Sequence, residues 1–104
     1  MSTIKDTMAM LDHKDFIRKN VGEAVLYEQL SEECVELAHA ALKKARKLRG
    51  ENPTPVDIQD VDAHLIEEIT DLMVVLDVLD LKESTEIKQY KLHRWACRNG
   101  FPNN

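Results

Sequence analysis

Tyr27-Glu-Gln-Leu-Ser-Glu-Glu-Cys-Val-Glu-Leu-Ala-His39 has the period of an amphipathic helix, with acids set along the edge of its apolar side. Positions i and i+3 of an α-helix project from nearly the same side, so Glu33 and Glu36 stand close together. A second stretch, Glu67-Glu68-Ile69-Thr70-Asp71, repeats the device with Glu68 and Asp71. Carboxylates this close repel, and two such pairs in a small chain require a counter-charge. A divalent cation that takes oxygen ligands relieves all four. The pattern therefore predicts a Mg²⁺ site between two helices.

Outward from this stretch the helical period runs from Val21 to Arg49, with Leu26, Leu30, Cys34, Leu37, Ala41, Ala45 and Leu48 on one arc of roughly 100°. Glu33 sits at the edge of that arc and Glu36 about 60° further round. Gly50 ends the helix, and Glu51-Asn-Pro-Thr-Pro55 reads as a loop because its prolines cannot sit inside a helix. A second helix begins between Val56 and Val61 and runs to about Leu81. Its stripe is Leu65, Ile66, Ile69, Leu72, Met73, Leu76 and Leu79, with Glu68 and Asp71 just outside one edge. Stripe packed on stripe lets the two acid pairs converge. Val74, Val75 and Val78 lie off the stripe, so residues 72–79 are apolar round most of the helix, and the expected cover for the second face is another copy of the protein.

Ser84 is placed to cap a third long helix, Thr85 to Arg98, stopped by Gly100 and Pro102. Its apolar side (Ile87, Tyr90, Leu92, Trp95) is weak and its cations are many. Residues 1–20 read as one or two short helical pieces, with Thr3 facing Asp6 and Asp12 facing Asp15 as helix starts. Met8, Met10, Leu11, Phe16 and Ile17 give them an apolar side that docks on the core or forms a lid over a bound base. The expected fold is a single all-α domain over 1–104, with its core at about 21–98 and the short helical segment at 3–20 in front of it. Homo-oligomerisation is the expected supplement, since 104 residues give only a modest core from one copy; the four-helix bundle it would complete is what the family resemblance given below implies.

A net charge of −5 argues against a general nucleic-acid binder, which needs a basic surface. A phosphorylated small molecule is still an acceptable partner when metal ions bridge the two negative species. The longest unbroken apolar run is Leu72 to Leu76, far short of a membrane span. Cys34 and Cys97 form no CxxC pair and no Cys/His zinc spacing, which fits reduced thiols and a cytoplasmic location. Lys43 and Lys47 lie on the same side as Glu36 near a helix C-terminus. There they complement the helix dipole and are also placed to neutralise a phosphate chain.

Glu-Glu-x-x-Glu at 32–36, a 31-residue spacer and Glu-x-x-Asp at 68–71, each followed by an apolar continuation, resemble the MazG-like all-α nucleoside triphosphate pyrophosphohydrolase superfamily. That superfamily also includes dimeric dUTPases and phosphoribosyl-ATP pyrophosphohydrolase. The resemblance covers roughly residues 26–98 and has a long spacer for the family. It implies that Glu33, Glu36, Glu68 and Asp71 ligate Mg²⁺, with Mn²⁺ as a substitute, and that Glu32 or Glu33 serves as general base. It implies a dimer or tetramer that splits a nucleotide between its α- and β-phosphates into a monophosphate and pyrophosphate. Lys91 and Arg94, in Lys-Leu-His-Arg-Trp, are the expected phosphate-binding pair beside Lys43 and Lys47, and Trp95 is a core residue or a platform for a base.

Two other classes compete. Glu36-x-x-His39 is the helical motif of di-iron carboxylate bundles, but no second Glu-x-x-His accompanies it. A helical oligomer that binds nucleotide or a partner protein without turnover would carry the acids as a solvated face.

Overall fold

A computed structural model describes residues 3–51 and 57–102, which form four helices: α1 (Ile4–Asn20), α2 (Glu23–Arg49), α3 (Ile58–Val78) and α4 (Thr85–Arg98). The described residues contain no strand. Of the proline loop expected at 51–55, only Glu51 falls among them.

Local chemistry sets the boundaries. Thr3 and Asp6 form a reciprocal capping box, Thr3 Oγ1 accepting from the Asp6 amide while Asp6 accepts from the Thr3 amide, both at 3.1 Å. Asp12 and Asp15 start no second helix, because α1 runs unbroken past them. Asp57 caps α3 and Ser84 caps α4, each accepting a backbone N–H from the first turn. Three helices end in the same way. Gly50 (φ 71°), Asp80 (φ 57°) and Gly100 (φ 99°) take left-handed conformations, and the next residue's N–H returns to a carbonyl five residues back. Those bonds, Glu51 to Arg46, Leu81 to Leu76 and Phe101 to Ala96, satisfy carbonyls that the helix end leaves open.

The body of the molecule is the α2–α3 hairpin. Lys44, late in α2, pairs with Asp62, early in α3, while Glu33 meets Glu68 and Asp71, so the two helices run antiparallel. Leu26 and Ala40 of α2 are buried with Val61, Glu68, Val75 and Val78 of α3. This buried seam differs from the expected stripes. Cys34, Ala41 and Leu48 of α2 are exposed, as are Ile66, Ile69 and Met73 of α3, whereas Val75 and Val78, expected to lie off the stripe, are inside. Each helix is apolar over more than one arc, and the hairpin buries only the arc that lets both helices close along their length.

α1 docks on the end of α3 through polar contacts. Arg18 donates to the Val78 carbonyl and, at 3.1 Å, to the Asp77 carbonyl, and Lys14 lies 3.7 Å from Asp77. Arg18 thereby places a cation on the negative end of the α3 dipole. α1 has no buried residue, and Met8, Met10, Leu11 and Phe16 remain exposed. α4 likewise has no buried residue and makes no extensive contact with the other helices.

Candidate metal centre

The seam of the hairpin contains the chemistry. Taking Leu26 and Val61 as the middle of each buried arc, 100° per residue places Glu33 and Glu68 within about 20° of it and Glu36 and Asp71 about 80° to one side. Glu33 and Glu68 therefore enter the seam, where the expectation had them standing at its border. Oxygens of Glu33, Glu68 and Asp71 lie within 4.8 Å of one another. Two oxygens on opposite sides of a Mg²⁺ ion with bonds near 2.1 Å are about 4.2 Å apart, so the three side chains need only small shifts to share one ion.

Glu68 is 8% exposed, the one charged residue among the buried ones. Burial pushes its carboxyl above the ordinary value of 4.5, His64 opposes the shift, and the negative charges of Asp71, Glu36 and Glu33 add to it. The His64 Nε2 atom is 3.7 Å from Glu68 Oε1, one turn away on α3. Glu33 is half-buried and accepts a 2.8 Å hydrogen bond from Gln29 Nε2, which fixes one oxygen on the α2 side. Asp71 is the exposed member of the three.

Glu36 is exposed and is not one of the three gathered acids, although its charge reaches Glu68. Glu32 is exposed on the outer side of α2. Lys43 and Lys47 are half-buried, on either side of Lys44 in the sequence of α2 and about three to four turns beyond Glu33. Lys91 and Arg94 lie with Trp95 and Arg98 along a shallow hollow of about 280 Å³ on α4, a helix that does not pack on the hairpin. The structure thus gathers three of the four expected ligands and leaves the α4 cations apart from them. Trp95 is 64% exposed, so it is not a core residue of the single chain.

Two side chains with partners in the hairpin were not singled out in the sequence. Lys44, whose position faces α3, pairs with Asp62 and ties the two helices together about three turns along α2 from Glu33. His64, one turn before Glu68 on α3, is the second, with its Nε2 3.7 Å from the Glu68 carboxylate. Its i, i+4 spacing was the available signal.

No protein-family model, curated protein or solved structure matches this chain.

Proposed function

We propose that this protein is a Mg²⁺-dependent nucleotide pyrophosphohydrolase of the MazG-like type, acting as a homo-oligomer. The observation that carries the proposal is the meeting of Glu33, Glu68 and Asp71 within 4.8 Å, with Glu68 buried. A solvated acidic face has no reason to bring a carboxylate out of water toward two others. The donor set is all oxygen, which suits Mg²⁺ and disfavours metals that select nitrogen or sulfur. Mg²⁺ bound there would neutralise phosphate oxygens and lower the pKa of a bound water.

The remaining work falls to side chains. Glu33 and Asp71 approach from opposite helices and, with Glu68, are the residues that would hold the ion. Gln29 holds Glu33 in place, and Lys44–Asp62 holds the helices in register. Glu36, close enough to influence Glu68 but outside the gathered three, is placed either to complete the ligand set as the ion enters or to bind a second ion. Glu32 and Glu33 are the candidates to take a proton from the attacking water.

The test is pyrophosphate release from a panel of canonical and modified nucleoside triphosphates, dUDP and phosphoribosyl-ATP, with and without Mg²⁺. Metal-dependent release of pyrophosphate and a monophosphate supports the proposal. Absence of turnover across the panel, in folded protein, replaces it with a binding role. Preference for iron over Mg²⁺ would move the site to the di-iron class.

A further inference from the structure

α4 carries a second set of metal-ligating side chains, of a different chemistry from the acid group. His93 and Cys97 lie four residues apart in the last two turns of this helix, so they share one arc of it, about 40° apart round the axis and about 6 Å apart along it. Cys97 Sγ is 3.5 Å from His93 Nε2. A tetrahedral Zn²⁺ ion with bonds of about 2.3 Å to a thiolate and about 2.05 Å to an imidazole holds its two donor atoms about 3.6 Å apart. The pair therefore already has the bite that such an ion demands. Helical zinc sites that take two histidines from one face use the same spacing of four.

The surroundings favour a cation at this position. The pair stands at the C-terminal end of α4, where the helix dipole is negative. Lys88, Lys91, Arg94 and Arg98 are all turned about 80° or more from the arc of the pair. Glu86, the sole acid of α4, lies on that arc about two turns earlier. His93 is exposed and Cys97 is half-buried, so an ion can enter from solvent and rest against the helix. The chain has no Cys/His spacing of the kind that closes a structural zinc site, and two protein ligands leave two positions of a tetrahedral ion open.

We infer that His93 and Cys97 form a binding site for Zn²⁺, with water in the remaining positions. Sulfur and nitrogen donors select a borderline or soft ion, whereas the oxygens of Glu33, Glu68 and Asp71 suit Mg²⁺. The site lies on a helix that makes no extensive contact with the hairpin. The inference therefore goes beyond the proposed hydrolysis and does not depend on it.

A Zn²⁺ titration of the reduced full-length chain, with alkylation of each cysteine followed by mass spectrometry, tests it. Zn²⁺ is expected to slow alkylation of Cys97 at least about tenfold, with half the effect reached below about 100 µM. Cys34, the other free cysteine, provides the internal control and is expected to react at an unchanged rate. Mg²⁺ at the same concentrations should protect neither. His93→Ala, at an exposed position on a helix without extensive packing, should keep its helical circular dichroism and require at least about tenfold more Zn²⁺ for the same protection. Glu68→Gln should leave the protection of Cys97 unchanged, which separates this site from the acid group. Alkylation of Cys97 at the same rate with and without Zn²⁺, equal protection of both cysteines, or protection unaffected by His93→Ala overturns the inference.

Discussion

Glu68 keeps a carboxyl group almost out of water while three acids act on it, and that position governs how the site responds to pH. Its carboxyl is held above the ordinary 4.5 by burial first and by its acidic neighbours second. A raised carboxyl pKa means that the folded chain binds the proton more tightly than the unfolded chain. The resulting stabilisation is complete below the unfolded value and is lost as pH rises through the folded one. Glu68→Gln removes the titration. Without metal, the variant's melting temperature should exceed the wild type's by a margin that widens as pH rises from about 4.5 toward neutrality. Adding Mg²⁺ should close that margin from the wild-type side only. A constant margin across melts from acid to neutral pH would show that the Glu68 charge is irrelevant. The same competition predicts that Mg²⁺ binds more weakly as pH falls. Asp71→Asn keeps the shape of the side chain but removes its charge, and should lower metal-dependent kcat/KM by at least about 100-fold. Unchanged turnover would end the metal assignment at this residue.

The same residues mark how far sequence alone could reach. Glu33, Glu68 and Asp71 were legible because a spacing of three residues puts acids on one side of a helix, whatever surrounds them. That Glu33 and Glu68 point into the seam was not legible. It depends on which arc of each helix is buried, and both arcs are apolar enough to serve. Cys34 and Ala41 fit the expected stripe as well as Leu37 does, yet only Leu37 is drawn inward.

At the scale of the elements, capping residues were the most reliable signals. Thr3, Ser84 and Gly50 each mark an end seen in the structure, since their effect is local and needs no knowledge of packing. Gly50 has φ 71°, where a Cβ is strained even though nothing lies within 4 Å of one built there. Gly50→Ala should therefore cost about 1 kcal/mol, read by urea denaturation, and leave the site intact. Arg18 was not legible, because its partners are backbone carbonyls at the end of a helix 60 residues away. Arg18→Ala should cost about 1.5 to 3 kcal/mol, the range for hydrogen bonds to a charged group. Amide exchange should show α1 losing protection before the hairpin does. Equal loss in both would mean that α1 and the hairpin unfold as one unit.

At the scale of the whole molecule, the all-helical architecture follows from composition and period, and the order of the four helices was legible, with a second helix start at Asp12 and Asp15 that the structure does not contain. The arrangement was less legible. α1 and α4 were expected to help cover a core, but their apolar residues remain in solvent in the single chain. Amphipathic patterning states that a face wants cover and is silent on whether that cover comes from the same chain. Among the described residues no helix is long and apolar enough to cross a membrane.

The isolation of α4 has a consequence in time. The α2–α3 hairpin joins neighbours in sequence across a short connection, so it should form quickly and at a rate independent of concentration. α4 makes no extensive contact with the other described helices, so in the proposed homo-oligomer its final environment would await a bimolecular encounter. Refolding followed by far-ultraviolet circular dichroism should therefore be mostly complete before Trp95 fluorescence changes. Only the later phase should accelerate as protein is added, so one tryptophan on an unpacked helix acts as a clock for assembly.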